Sequence, residues 1–418
     1  SLATFKDKFH ALGSYVVAKD PADFVCDFFG LPRSVSSIAA SESIVLGMDH
    51  GGGSIKVVAR PYGLSGGHGC LVLLHSGKDS RCAAEEIMKE LGSLSQRFRV
   101  WFSGDNKQLQ FLMGTAASAC WQCGVVEKRV DGRHTYQLDA SVNRWDNAVE
   151  WKKQYALKCS RLKRPPAHFN GQKFDPLVDR GSVLLPWLHI LMGICRNVFD
   201  HMIRNGARRG DLEAFLQSKL SITPTKPIAG STLEKTNVLG YTGKDCKLVL
   251  DRIDELKNGF NDMPKGHESF KVLESLQQVR LALMKPRSET RLELAINEFK
   301  SLYIDGGFNP SLVVHLLVAH GSELYAAHSE SGLRLLTEEL VERIHSEINE
   351  IKNRSQLEGD LLSQISRWNW QYSTVEQECL STPLPKRCRK PARQSPQLDL
   401  KGLSSSSGPS RAVERSDS

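Results

Sequence analysis

The stretch Ile44-Val45-Leu46-Gly47-Met48-Asp49-His50-Gly51-Gly52-Gly53 joins a short apolar run to a glycine-rich turn. Short apolar runs that end in turn residues are typical of buried strands. A β-branched run covers residues 54–60, and a third apolar run covers residues 70–74. The pattern predicts three strands, with a hairpin turn at residues 51–53 between the first two.

A helix and a fourth strand follow these three. Residues 78–92 carry apolar side chains at helical spacing and end in Gly92, which is a helix stop signal. Residues 98–102 predict the fourth strand, and Asp105 comes shortly after it, as Asp49 comes after the first. This order of elements, with a carboxylate at both places, is similar to that of an RNase H-like nucleotidyl-transfer core. We therefore expect an α/β fold built on an RNase H-like mixed sheet.

The rest of the chain is mostly helical by pattern. Helical periodicity or composition covers residues 107–113, 142–158, 183–204, 211–220, 247–257, 269–284, 292–303 and 337–352. We expect an N-terminal segment at 1–43, the first part of the RNase H-like core at 44–119, a helical insertion at 120–336, the last helical region at 337–380 and a tail at 381–418. Residues 1–40 predict no clear element, and the aperiodic tail is expected to be disordered. Trp368 and Trp370 are expected to pack in the core.

Most of the positive charge lies in the tail. The net charge of +8 comes from 55 Lys and Arg against 47 Asp and Glu, and from Ser381 onward eight cations face three anions. The body is therefore nearly neutral, and total charge is poor evidence for a nucleic-acid partner. The run Lys386-Arg387-Cys388-Arg389-Lys390 is typical of a nuclear localisation segment and equally of a solvated tail. Nuclear localisation is the expectation.

Composition excludes several classes of protein. With 40% hydrophobic and 24% charged residues and 10 Cys, the chain is neither collagen-like, nor a disulfide scaffold, nor wholly disordered. No signal-peptide pattern is visible, and the longest apolar run, residues 183–195, is shorter than the roughly 20 residues of a membrane span. Scattered cysteines without secretory features indicate a reducing compartment. We expect an intracellular, soluble protein with no membrane partner.

Acidic residues are the first candidates for chemistry. Two-metal phosphoryl transfer needs two or three carboxylates that converge on oxygen-seeking cations. Asp49 and Asp105 are expected at neighbouring strand ends, and a third carboxylate is expected from the helix at 337–352, which offers Glu338, Glu339, Glu342 and Glu347. Glu342 shares a helix face with both Glu338 and Glu339, which makes it the central candidate. The alternative is that the aspartates are turn or cap residues and the glutamates a solvated face.

Soft ligands are the second candidates. Cys120-Trp121-Gln122-Cys123 is a CxxC motif, and His315 with His320 forms HxxxxH in an apolar stretch. Two thiolates and two imidazoles make a closed tetrahedral zinc site, and both spacings suit one. A redox CxxC is the rival interpretation, but the thioredoxin-like βαβ context is absent around Cys120. The alternative for the two histidines is that they are core residues of one helix.

Taken in order, these pieces resemble the catalytic core of the Transib transposases and of the related recombination-activating protein, within the DDE superfamily. The resemblance covers about residues 44–350. It rests on these motifs: Gly47-Met48-Asp49, Phe102-Ser103-Gly104-Asp105, Cys120-Trp121-Gln122-Cys123, Leu188-His189-Ile190, and His315 to His320 before a Glu-rich helix. It implies two Mg²⁺ or Mn²⁺ ions at a DDE triad of Asp49, Asp105 and Glu342, and DNA ends or target DNA as substrate. It also implies that Cys120, Cys123, His315 and His320 form a structural zinc site that staples the helical insertion to the sheet.

The sequence departs from the family in one place that matters. The family pairs its catalytic Glu with an earlier acidic residue in a Gly- and Ser-rich context, whereas residues 337–342 are plainly helical here, so Glu338 and Glu339 remain alternatives to Glu342. The expected function is that of a DDE-type transposase or recombinase that cleaves and transfers DNA strands. The alternatives are a domesticated or truncated, catalytically inactive zinc-containing DNA-binding protein and a helical scaffold. A second copy of the chain is a further candidate partner.

Overall fold

A computed structural model describes residues 5–31, 43–51, 53–62, 69–130, 133–139, 148–160, 168, 171–222, 241–330, 332–333, 344, 347–348, 350–351 and 360–379. Glu338, Glu339 and Glu342 and the basic tail lie outside the described residues.

The centre of the fold is a mixed sheet of six strands. The strands are β1 (Phe9–Leu12), β2 (Tyr15–Ala18), β3 (Ser43–Gly51), β4 (Ser54–Pro61), β5 (Cys70–Ser76) and β6 (Arg99–Gly104). Their spatial order is β1-β2-β5-β4-β3-β6, and β6 runs parallel to β3 while every other neighbouring pair is antiparallel. The predicted strands and the helix before the fourth are confirmed, with β3 and β4 meeting at a turn where Gly53 has φ of 82°.

The N-terminal segment contributes to the sheet, which the sequence pattern does not predict. β1 and β2 extend the sheet beyond β5, and a helix, α1 (Pro21–Phe29), follows them. Asp20 caps this helix by accepting from Asp23 N at 2.9 Å. Strands of four residues are too short for an alternation pattern to show, so only the pairing of β1 with β2 and of β2 with β5 reveals them.

Further helices follow β5 in the chain, two of them before β6 and the others after it. They are α2 (Arg81–Glu90), α3 (Gly92–Arg97), α4 (Asn106–Met113), α5 (Ala148–Cys159), α6 (Trp187–Arg204), α7 (Arg209–Leu220), α8 (Gly243–Asp251), α9 (Ile253–Asn261), α10 (Gly266–Leu283), α11 (Glu289–Asp305), α12 (Leu312–His315), α13 (Gly321–Ala326) and α14 (Leu361–Cys379). A π-helical turn at Leu316–His320 joins α12 to α13, and a separate hairpin consists of β7 (Lys128–Val130) and β8 (Arg133–Thr135).

Two predicted helices have different limits in the structure. The helix predicted from residue 183 begins at Trp187, because Val183 instead forms a parallel bridge with Phe102 of β6. The helix predicted at 247–257 is two helices, α8 and α9, which meet at Arg252.

The last described helix completes the core beside β5. β2 pairs only with residues 73–75 of β5, and beyond that point Asn369 of α14 bonds to Leu71, accepting from its N at 2.9 Å and donating to its O at 2.8 Å. Trp368 is fully buried, as expected, but Trp370 is 44% exposed, so that part of the prediction is wrong. Within the described residues, no helix is both long enough and apolar enough to span a bilayer.

Candidate functional site

Asp49 and Asp105 lie side by side at one end of the sheet. β3 and β6 are parallel, and Met48 of β3 lies opposite Gly104 of β6. Asp49 comes directly after Met48, and Asp105 comes directly after Gly104. A Cβ on Gly104 would lie 2.7 Å from the Met48 carbonyl oxygen, which means that the two strands approach too closely there for any side chain. Glycine at position 104 therefore allows the two aspartates to come together.

The electrostatics of Asp105 show that its neighbours are also acidic. Burial raises the pKa of this carboxyl, and the negative charges of Asp49 and Asp79 raise it further. A hydrogen bond from Gln108 N and the charge of His189 act in the opposite direction. A buried carboxyl with other carboxylates beside it is typical of a cation site, since a bound cation removes the repulsion.

Each aspartate also has a local role. Asp105 caps α4, with Oδ1 accepting from Gln108 N at 2.7 Å, and Asp49 Oδ1 accepts from His50 N at 2.8 Å. The interpretation of Asp105 as a helix cap is therefore correct as far as it goes. A carboxylate has about four lone-pair sites, so the cap leaves Asp105 able to bind a cation as well.

Asp79 and His189 lie close enough to Asp105 to influence its charge, and we call these residues and Asp49 the carboxylate cluster. The sequence pattern predicts no role for Asp79 or His189. Asp79 lies between β5 and α2, its side chain is 10% exposed, and Lys107 Nζ is 2.9 Å from its Oδ2. His50 Nδ1 is 4.0 Å from the other oxygen. The available signals were an Asp shortly after the third strand and the motif Leu188-His189-Ile190, and neither predicts proximity to Asp105.

A buried lysine faces Asp49 across the β3–β4 hairpin. Lys56 is directly opposite Asp49 in register, so both side chains lie on the same face of the sheet. Lys56 is fully buried, and its Nζ donates to the Gly51 carbonyl and, at 3.5 Å, to the Ser54 carbonyl. The Lys56 side chain therefore holds the turn that follows Asp49.

The third carboxylate of the triad stays a prediction, because Glu338, Glu339 and Glu342 lie outside the described residues. Of the glutamates considered on the last helix, Glu347 is described and half-buried, between the buried Ile344 and Ile348. The structure brings Asp49, Asp105 and Asp79 together, and Glu338, Glu339 and Glu342 remain candidates from sequence alone.

Four predicted soft ligands do come together. Cys120, Cys123, His315 and His320 are all buried, and one ligand atom from each lies within 4.8 Å of the other three. Cys123 Sγ is 3.3 Å from His315 Nε2. Residues almost 200 positions apart in the chain thus form a group that could hold one metal ion.

The cysteine half of this cluster is a tight turn. Cys120 N donates to Val125 O and Gly124 N donates to Cys120 O, both at 2.8 Å, which folds the CxxC segment back on itself. Gly124 has φ of 74°, which is left-handed and favours glycine. A Cβ on Gly171 would lie 2.3 Å from the Gly124 carbonyl oxygen, so the neighbouring chain packs directly onto the turn. We call residues 120–125 the knuckle.

The histidine half depends on the π-helical turn. In an α-helix, residues five apart point about 140° away from each other, since each residue turns the helix by about 100°. The π-helical turn at Leu316–His320 closes over five residues and brings His315 and His320 to one face. His315 Nδ1 donates to the Gln137 carbonyl, which leaves Nε2 as the atom that faces Cys123.

The polar atoms of the cluster fit a metal ion. Both ring nitrogens of His320 are buried and have no hydrogen-bond partner among the described residues, with a Glu323 oxygen 3.6 Å from Nδ1. A buried polar atom without a partner costs free energy that a bound metal would recover. Hydrogen bonds from Cys120 and from His315 hold the pKa of Cys123 well below its usual range, whereas burial raises the pKa of Cys120. Metal binding must therefore displace a proton from Cys120.

The two clusters are physically connected. Trp121 of the knuckle is fully buried, and its Nε1 donates to Oδ1 of Asn106, the residue after Asp105, at 3.3 Å. Arg180 also donates to the Trp121 carbonyl, at 3.1 Å, and to the Gln122 carbonyl. Two thiolates and two imidazoles in a closed, buried group are compatible with structural zinc.

No known family model and no curated protein matches the chain.

Proposed function

We propose that the chain is a DDE-type DNA transposase or recombinase core that cleaves and transfers DNA strands with two Mg²⁺ or Mn²⁺ ions. The observation that carries this proposal is the adjacent pair of Asp49 and Asp105 at the ends of two parallel strands, in electrostatic contact with each other. A structural zinc ion at Cys120, Cys123, His315 and His320 is part of the same proposal.

The sheet supports an RNase H-like core. Three antiparallel strands, β3 to β5, are followed by helices and by β6, which returns parallel to β3. The parallel bridge from Phe102 to Val183 lies on the outer side of β6, where a further parallel strand would continue the sheet. In this arrangement Asp49 lies inside β3 near its end and Asp105 directly follows β6, so the two carboxylates lie on neighbouring strands, as the proposed chemistry requires.

The carboxylates would act by position and charge. Divalent cations bound between Asp49 and Asp105 would activate water for strand cleavage and then a 3′-hydroxyl for strand transfer. Asp105 must be ionised to take part, and its raised pKa shows that the site without a cation resists this charge. Asp79, held by Lys107, is a third carboxylate within reach of the pair, and Glu342, with Glu338 or Glu339 as alternatives, is the proposed triad member from the last helix.

The zinc group would staple the helical insertion to the sheet. Its cysteines lie on the knuckle that contacts Asn106 beside Asp105, and its histidines lie on the helical segment that leads toward the proposed glutamate helix. Folding of the insertion and metal binding would then be coupled.

The experiment that tests the proposal is a nicking assay on supercoiled DNA in Mn²⁺. We expect Asp49→Asn and Asp105→Asn each to reduce nicking on the order of a hundredfold or more, because metal-assisted charge stabilisation contributes several kcal/mol. Asp254→Asn, at an exposed position in α9, is the matched control and should nick as the wild type does. Nicking by either active-site variant at the control rate would refute the assignment.

A second candidate is a domesticated or truncated zinc-containing DNA-binding protein that is catalytically inactive. The observation that favours it is the pairing of Asp79 with Lys107 at 2.9 Å, since an ammonium group already neutralises one carboxylate of the cluster. DNA binding with a steep salt dependence and no Mn²⁺-dependent cleavage by the wild type would select this function over the first. Nuclear localisation through residues 386–390 and a homodimer are proposed with either function.

A further inference from the structure

A short basic hairpin stands apart from the main sheet. β7 and β8 form a separate two-stranded sheet in which Lys128 pairs with Thr135, Arg129 with His134, and Val130 with Arg133. All three residues of β7, together with Arg133 and His134 of β8, are exposed. We call residues 128–130 and 133–135 the basic hairpin.

Both faces of the basic hairpin carry cations. Side chains that are opposite in register share a face, so Arg129 lies with His134 on one face, and Lys128, Val130 and Arg133 lie on the other. Val130 is 51% exposed, so this second face also presents an apolar side chain to solvent. The carboxylate of Glu127 is 3.0 Å from His134, and within the described part of the chain Lys128, Arg129 and Arg133 form no ion pair.

The basic hairpin lies near the end of α6. Burial lowers the pKa of His201 there, and the charges of Lys265 and Arg133 lower it further, whereas Glu268 and Asp200 raise it. Arg133 is therefore within electrostatic range of His201, while Lys265 is already paired with Glu268 at 3.1 Å. The cations of the hairpin are a distinct feature because the body of the chain is nearly neutral.

The basic hairpin is rigidly attached to the metal cluster. Its first strand begins five residues after Cys123, and its second strand leads to Gln137, whose carbonyl accepts from His315. Thr135 Oγ1 donates to Asn309 Oδ1 at 2.8 Å, and Asn309 Nδ2 donates to the His134 carbonyl at 2.9 Å. A hairpin whose base is fixed in this way can bind a partner without first losing much conformational freedom.

We propose that the basic hairpin is a docking element for duplex DNA, in which Lys128, Arg129 and Arg133 contact phosphates along the major groove. A two-stranded β-ribbon has the width that the major groove of B-form DNA admits, and cations on both faces can reach the two phosphate backbones that border the groove. The proposal rests on the proposed function, since it names the surface by which that function holds its substrate. The knuckle contacts Asn106 through Trp121 and is joined to the hairpin by residues 126 and 127, so bound DNA would be fixed relative to Asp105.

The test is binding of a 30-base-pair DNA duplex by the full chain, measured by fluorescence anisotropy over a series of salt concentrations without divalent cations. We expect Lys128→Ala, Arg129→Ala and Arg133→Ala together to lower affinity on the order of a hundredfold at 0.15 M salt, and to reduce the salt slope by roughly 2 to 3, since each phosphate contact contributes about 0.9. The matched control removes three exposed cations elsewhere, by Lys271→Ala, Lys285→Ala and Arg291→Ala. Unchanged zinc content and melting temperature show that the triple variant is folded.

Three results would overturn the proposal. These are a triple variant that binds as the wild type does, a control variant that loses as much affinity, and equally tight binding of a duplex RNA, whose narrow major groove excludes the ribbon. Cleavage that requires Asp49 while the triple variant binds normally would remove the hairpin and leave the proposed function intact. DNA binding that depends on the hairpin, without any cleavage, would keep the hairpin as the docking element and refute the proposed function.

Discussion

Trp121 Nε1 donates a hydrogen bond to Asn106 Oδ1 across 3.3 Å, and this bond joins the knuckle to the residue that follows Asp105. The indole is fully buried, so its N–H has no access to solvent in place of Asn106. The metal cluster and the carboxylate cluster are thus linked by one buried contact, and perturbing either side is expected to affect the other.

The first prediction concerns that contact. Asn106→Ala leaves the Trp121 N–H buried without an acceptor, which costs about 1–3 kcal/mol of unfolding free energy. Urea denaturation measures it. Asn258→Ala, at an exposed position in α9, is the control and should lie within about 0.5 kcal/mol of the wild type. Equal stability of the two variants would show that the contact contributes nothing to the free energy of unfolding.

The second prediction concerns the metal cluster. Elemental analysis should find about one zinc per chain, as for a closed four-ligand site. Cys123→Ser should lose the zinc and soluble expression, because structural zinc contributes on the order of 10 kcal/mol in small domains, comparable with the whole stability of many proteins. Cys82→Ser, at an exposed thiol, should keep both.

A chelator titration of the wild type makes the same test without a variant. The melting temperature should fall as zinc is removed and recover when zinc is returned. A wild-type preparation that is free of metal and melts at the same temperature would contradict the zinc assignment.

The third prediction follows from the raised pKa of Asp105. A carboxyl whose pKa is raised in the folded state contributes stability that is complete below its ordinary value of 3.8 and is lost as pH rises through the raised value. Asp105→Asn removes this loss and keeps the helix cap, since asparagine caps helices as well as aspartate does. In buffer without Mg²⁺ or Mn²⁺, the variant should melt higher than the wild type at pH 7, and the difference should vanish near pH 3.8.

The variant can be checked against Mn²⁺. Added Mn²⁺ should raise the melting temperature of the wild type at pH 7 but not that of Asp105→Asn, because the cation stabilises the ionised carboxylate. A wild type that melts higher than the variant at pH 7 without divalent cations would show that Asp105 is not destabilised by its acidic neighbours.

The fourth prediction concerns Gly104. A Cβ there would lie 2.7 Å from the Met48 carbonyl oxygen, so Gly104→Ala must push β6 away from β3. We expect a loss of about 1–3 kcal/mol in unfolding free energy, which is typical of overpacking, together with weaker Mn²⁺-dependent nicking. Gly92→Ala, where a Cβ would meet nothing within 4 Å, is the control and should be neutral or slightly stabilising. Full stability of Gly104→Ala would mean that the strands can separate without cost.

Local signals in the sequence predict a large part of the sheet. The apolar runs at β3, β4, β5 and β6 are buried on both faces and therefore appear as continuous hydrophobic stretches that a pattern can detect. Asp105 directly follows β6 as expected, whereas Asp49, expected just after the first strand, lies inside β3 because the pairing with β4 continues to Gly51. The CxxC and HxxxxH spacings could likewise be read directly, because ligand type and spacing are local properties.

Features that depend on distant contacts follow from the tertiary structure alone. The four-residue strand β2 exists because β5 pairs with it, β1 pairs in turn with β2, and Asp79 and His189 gain a role only because folding carries them to Asp105. His315 and His320 share a face through a π-helical turn that residue spacing does not reveal, and Gln137 then fixes the ring that meets Cys123. The physical reason is that a side chain's electrostatic and metal-binding properties depend on everything within a few ångströms of it, and most of those neighbours are far away in the sequence.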